Sequence, residues 1–124
     1  FDYNSNGYLY LISFNGTTVW QLNTMDEYFR IRQANIGTTP CSWSFDGNNM
    51  LSQINATGVQ QYNYSFNVNT GNLNSRTNYL KNLTESFSYD TSDLDRLTSI
   101  TGPQNQSITY ETNGNILSKS DAGT

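Results

Sequence analysis

Hydrophobic and polar residues alternate along much of the chain, most clearly just before a series of polar stretches. An alternation of period two places side chains on one face of a β-strand. An aliphatic residue follows each polar stretch and begins a second run, so the pattern predicts pairs of strands joined by polar turns. The alternating positions are Trp43 and Phe45; Tyr62, Tyr64 and Phe66; Phe87 and Tyr89; and Ile108 and Tyr110.

The strand pairs recur as an internal repeat of about 20–24 residues. Each copy reads as an aromatic residue, an acid or amide, a short polar stretch, glycine or a substitute, any residue, and then Leu or Ile. The motif aromatics are Phe45, Phe66, Tyr89 and Tyr110; the turn residues are Asp46, Asn67, Gly71, Asp90, Glu111 and Gly114; and the residues after the turn are Leu51, Leu73, Leu97 and Ile116. We therefore divide residues 1–124 into about six repeats, degenerate over 1–37, with copies centred on Phe1-Asp2 and Tyr28, and clearer over 38–124.

Each repeat element has a physical reason. An acid or amide after the aromatic residue can bond to the backbone of a turn, and Gly71 and Gly114 stand where a positive φ is expected. The sequence therefore predicts an all-β fold of consecutive antiparallel hairpins, with turns of about five residues, in a curved and twisted sheet. We expect the motif aromatics and the residues after the turns to form its recurring core. A four-stranded propeller blade of about 42 residues, built from two repeats, is the alternative.

Composition narrows the function classes. Residues of the AVILMFWYC set make up 35% of the chain, charged residues only 13%, and the net charge is −4. With only six basic residues, the chain shows no basic surface that would bind nucleic acid. No apolar run is long enough to span a membrane. The chain has no histidine, and its single Cys41 cannot form an internal disulfide. We expect no enzyme activity, no metal and no cofactor.

Three sharper interpretations compete with structural ones. Trp20, Trp43, Tyr62 and Tyr64 could form a platform on which sugars stack, although a chain poor in aliphatic residues needs its aromatics in the core. Asp90, Asp93 and Asp95 could bind calcium, but no spacing matches an EF-hand loop, Arg96 lies beside the cluster, and turn capping is favoured. Five Asn-X-Ser/Thr sequons are expected by chance in a chain so rich in Asn, Ser and Thr.

The repeat also resembles a known family. The stretch 87–100, with Tyr89-Asp90 followed by Asp95-Arg96-Leu97, resembles the tyrosine–aspartate (YD or RHS) repeat, and 109–116 resembles its Asn-Gly-Asn form. This resemblance implies a large bacterial secreted or surface polypeptide whose repeats build a hollow shell, often around a toxic domain. It also implies an extracellular or cell-surface location. The self-cleavage motif that follows the repeats in that family has no match in this sequence.

Two hypotheses for function follow. The favoured one is a non-catalytic structural segment of a longer surface or secreted protein, which encloses or displays other parts of the polypeptide. The alternative is a module that binds carbohydrate or protein through exposed aromatic residues. Sheet edges invite pairing, so we also expect association with further copies or with neighbouring repeats.

Overall fold

A computed structural model describes residues 1–93 and 95–121, which form strands joined by turns, with no helix among them. The strands are β1 Asp2–Tyr3, β2 Leu9–Phe14, β3 Thr17–Met25, β4 Ile31–Ile36, β5 Thr39–Phe45, β6 Leu51–Ala56, β7 Gln60–Phe66, β8 Leu73–Asn78, β9 Leu83–Tyr89, β10 Leu97–Thr101, β11 Gln106–Tyr110 and β12 Ile116–Lys119. The predicted all-β class is therefore confirmed.

The strands are neighbours in chain order from β1 to β12, and each pairing with a described register is antiparallel. Successive strands thus form consecutive hairpins, as the repeat predicts. Turns of five residues precede β2, β4, β6 and β12, so the predicted turn length is also confirmed there. The chain divides into two compact units, residues 1–62 and 63–124.

In the first unit, one face of the sheet is apolar and the other carries amides and hydroxyls. On the apolar face, Ala34 lies opposite Leu22 on one side and Cys41 on the other, and Trp43 lies opposite Ile54. The polar face carries the registered pairs Gln21–Asn35, Gln33–Ser42, Ser42–Asn55 and Ser44–Gln53. The alternation in the sequence is therefore an alternation between two faces of different chemistry.

The second unit repeats this division, with hydroxyl groups on its polar face. The cross-strand pairs there are Ser75–Ser86, Thr77–Thr84, Ser88–Ser99, Ser99–Ser107 and Thr109–Ser118. Hydroxyl oxygens meet at 3.0 Å between Thr77 and Thr84 and at 2.6 Å in the Thr109–Ser118 pair. The opposite face carries Phe87 beside Ile100.

Burial in the sheet is shallow. Among the described residues, only Ala34, Cys41 and Ile108 are buried hydrophobic side chains. Most motif positions are half-buried, including Phe45 and Leu97. The prediction that Ile116 belongs to a recurring core is wrong, because its side chain is 59% exposed. The physical reason is that β12 has a hydrogen-bonded neighbour on one side only, β11.

Candidate functional site

The turn at the start of each repeat is the most regular feature of the molecule. In all six, the backbone N–H of the acid or amide residue donates to a carbonyl four to six residues later, at 2.8–3.0 Å. The pairs are Asn4–Tyr8, Asp26–Arg30, Asp46–Met50, Asn67–Asn72, Asp90–Arg96 and Glu111–Asn115. Six copies of one backbone bond show that the repeat is structural as well as sequential, including its degenerate first third.

Side chains close the same turns. The Oδ1 atom of Asp46 accepts from the backbone N–H groups of Asn48 and Met50 at 2.8 and 2.9 Å. Asn4, Asp26, Asn67 and Asp90 each accept from backbone N–H groups in the same way. Glu111 has one more methylene, and in its turn the Oδ1 atom of Asn113 accepts from the N–H of Asn115 instead. A short side-chain acceptor is therefore part of the turn itself.

In five of these turns, the residue before the last one has a positive φ, in the left-handed region. It is glycine at Gly7, Gly71 and Gly114, whose φ angles are +79°, +78° and +90°. Glycine adopts this conformation without a steric penalty, which is why the repeat carries it. The equivalent positions in the second and third turns hold Phe29 and Asn49, with φ of +60° and +63°. Asparagine is a common substitute at such positions, whereas phenylalanine is not.

The turn hydrogen bonds alter two carboxyl groups. At Asp90, the hydroxyl and N–H of Ser92 and the N–H of Asp93 stabilise the charged form and hold the pKa below its usual value. At Asp26, desolvation raises the pKa, but hydrogen bonds from Arg30 and Tyr28 and the nearby Arg30 charge outweigh it, so the pKa is again lowered. Turn closure therefore stabilises the ionised state of both groups.

A second set of contacts joins neighbouring hairpins in the second unit. The hydroxyl of Tyr89 donates to the carbonyl of Leu73 at 3.1 Å, and that of Tyr110 donates to the carbonyl of Leu97 at 2.8 Å. In both cases the motif tyrosine of one repeat contacts the residue that follows the turn of the preceding repeat. The tyrosine of the motif thus has a polar function that phenylalanine cannot supply.

Guanidinium groups make an equivalent contact. The guanidinium carbon of Arg30 lies 4.0 Å from the ring centre of Phe45, and that of Arg96 lies 5.0 Å from that of Tyr110. Both arginines are the last residue of a turn, and both rings are the motif aromatics of the next repeat. Such a cation–π contact at a partly exposed site stabilises by about 0.5–1 kcal/mol.

The register of the two degenerate copies differs from the sequence prediction. The second turn begins at Asp26, with Met25 in the place of the motif aromatic, and Tyr28 lies inside the turn. The first turn begins at Asn4, after Tyr3, rather than after Phe1-Asp2. The two degenerate copies were placed by their aromatic residues. Their turns instead begin at the acid or amide, and the left-handed residue comes three positions later.

The side chains predicted to stack on sugars are not prominent on the surface. Trp20, Trp43, Tyr62 and Tyr64 are all half-buried. A charged cluster beside the second turn was not predicted from the sequence: the Oδ2 atom of Asp26 lies 2.8 and 3.1 Å from the Nε atoms of Arg30 and Arg32. The Arg-X-Arg spacing on one strand face was the available signal, because residues two apart share a face.

Groups that could support chemistry are sparse in residues 1–93 and 95–121. No cluster of three or more His, Cys, Asp or Glu side chains able to hold a metal ion is found there. Cys41 is buried on β5, and its Sγ lies 3.7 Å from the carbonyl of Thr39. The same part of the chain contains no helix long and apolar enough to cross a membrane.

Comparison with known proteins yields no relative, because neither a protein-family model nor a curated protein matches the chain. The resemblance to YD repeats therefore rests on the motif residues of the sequence.

Proposed function

We propose that this chain is a non-catalytic structural segment of a secreted or cell-surface polypeptide of the YD-repeat type, in which the hairpins enclose or display other parts of the same polypeptide. The observation that supports this most strongly is the sixfold turn. Its capping side chains, its left-handed residues and its motif tyrosines are all occupied in holding hairpins in register. Repeats that bond mainly to their neighbours suit a scaffold that extends by addition.

The two faces of the sheet fit the same proposal. Rows of hydroxyl and amide groups make one face compatible with water, while the opposite face carries the half-buried aromatic residues. A wall around an enclosed segment needs two faces of different character, one towards solvent and one towards the contents. Location outside the cell and association with further repeats belong to this proposal as well.

Protease protection tests the proposal in the native polypeptide that carries the array. We expect an epitope-tagged segment beside the hairpins to resist proteinase K on intact cells or in the secreted fraction. The array variant G71A/G114A, strained at two turns, should expose that segment to cleavage, whereas G47A should not, because Gly47 lacks a positive φ. If the protease cleaves the segment to the same extent in the original protein, in G71A/G114A and in G47A, the hairpins do not enclose it.

A further inference from the structure

Phe29 combines two unfavourable features in the second turn. Its φ of +60° places a bulky side chain in the left-handed region, and its ring is 62% exposed. The equivalent positions in the first, third, fourth and sixth turns carry Gly7, Asn49, Gly71 and Gly114. A strained residue that also exposes a large ring is an outlier of the kind that occurs at binding sites.

Two further aromatic residues accompany Phe29, one stacked on its ring and one next to it in the sequence. The ring of Tyr8 stacks on that of Phe29, with ring centres 5.2 Å apart and planes inclined by 25°. Tyr28 is 60% exposed, and the guanidinium carbon of Arg30 lies 5.0 Å from its ring centre. We call Tyr8, Tyr28 and Phe29 the turn-2 platform. Two of its rings stack on each other, and the third belongs to the exposed residue next to Phe29 in the same turn.

The charges around the turn-2 platform balance one another. Asp26 accepts from the Nε atoms of both Arg30 and Arg32, and Glu27 contributes a second carboxylate from the same turn. The terminal nitrogens of Arg30 are 3.3 Å from the backbone and side-chain oxygens of Asn49. The two acidic and two basic side chains of this turn and the start of β4 leave no net charge there, which favours a neutral ligand over an ionic one.

The size of the turn-2 platform also limits the ligand. A stable protein partner covers about 800 Å² on each side of an interface, far more than three side chains offer. Aromatic rings instead suit a ligand with flat apolar faces and a polar rim, because the ring faces supply contact area and neighbouring polar groups supply hydrogen bonds. A pyranose ring has this shape, with C–H groups on its faces and hydroxyl groups around its edge.

We propose that Tyr8, Tyr28 and Phe29 bind a neutral polysaccharide, with its sugar rings stacked on the aromatic rings and its hydroxyl groups bonded to the polar side chains of the turn. This activity goes beyond the structural role proposed above and does not depend on it. The competing explanation is that Phe29 only replaces the missing motif aromatic at Met25 as a packing partner for Tyr8.

Calorimetric titration of the protein with three neutral sugars, cellohexaose, mannohexaose and hexa-N-acetylchitohexaose, tests this proposal. We expect at least one hexasaccharide to bind, with affinity insensitive to salt because the ligand is neutral. The variant Y28S/F29G should bind about tenfold or more weakly. It should still fold, because glycine occupies the position of Phe29 in three other turns. F29N, with the residue of the third turn, is a second variant that should weaken binding.

A matched control is Y79S, since Tyr79 is also exposed but lies in the turn between β8 and β9. Its affinity for the same hexasaccharide should stay within about twofold of the original protein. The proposal is overturned if none of the three sugars binds, or if Y79S weakens binding as much as Y28S/F29G. It is also overturned if F29N and Y28S/F29G lower the thermal midpoint while binding is unchanged, which is the result expected of packing alone.

Discussion

At the scale of the residue, short polar side chains close the turns of a fold in which few described side chains are buried. Five turns use Asn or Asp as the residue whose side-chain oxygen accepts backbone N–H groups. The choice between amide and acid matters little for geometry, because both present the same oxygen. It matters for electrostatics, because the turns at Asp26 and Asp90 stabilise the charged form of these two carboxyl groups and lower their pKa.

This difference predicts a dependence of stability on pH. The pKa values of Asp26 and Asp90 are lower in the folded chain than their ordinary value, so their contribution is complete at neutral pH and is lost as pH falls below about 4. The variant D26N/D90N keeps the accepting oxygens but removes the charges. We expect it to be less stable than the original protein at pH 7, with the difference shrinking as the solution is acidified.

Urea unfolding across a pH series measures this effect. D2N removes an exposed carboxylate outside the turns and serves as the control for net charge. A constant difference in unfolding free energy between D26N/D90N and the original protein from pH 7 to acid would show that ionisation of these two groups does not stabilise the fold.

At the scale of the element, the hairpin was predictable and its fine register was not. Strand alternation, turn length and the positive φ at Gly71 and Gly114 all follow from local residue chemistry. The burial of Ile116 depends on whether a strand lies on its far side, which no local pattern reports. The degenerate copies were misplaced because Tyr28 and Phe1 resemble motif aromatics, while the deciding residues were Asp26 and Asn4.

The candidate site, like the hairpin, was only partly predictable from the sequence. The residues of the repeated turn could be read from the sequence, since their chemistry is local. The turn-2 platform could not, because it depends on Tyr8 of one hairpin meeting Phe29 of the next, 21 positions away in the sequence. The aromatics chosen instead, Trp20 and Trp43, are half-buried because they alternate onto the apolar face.

The contact between consecutive hairpins gives a prediction for the motif tyrosine. Y110F removes the hydroxyl that donates to the carbonyl of Leu97 and keeps the ring beside Arg96. The loss of one such bond should lower the free energy of unfolding by about 0.5–1.5 kcal/mol, as measured by urea denaturation. Y79F, at an exposed turn position, should change it by less than about 0.5 kcal/mol. If Y110F and Y79F lower the free energy of unfolding equally, the motif hydroxyl makes no special contribution to stability.

At the scale of the whole molecule, the strands are ordered as a linear array, each beside its neighbours in the chain. Within each unit, the described contacts between strands join sheet neighbours only. Stability in such an array is close to a sum of hairpin terms and terms between neighbours, so a local change should have a local effect. A globular domain with one shared core would spread the same change over all its strands.

Hydrogen exchange followed by mass spectrometry tests this central claim most directly. G114A forces a side chain into a turn position with φ of +90°, which costs about 1–2 kcal/mol. We expect faster exchange in β10, β11 and β12 and unchanged exchange in β1 to β6, while G47A, whose added methyl group meets open space, should leave all strands unchanged. An equal loss of protection in all twelve strands of G114A would contradict the linear array and indicate a single cooperative core.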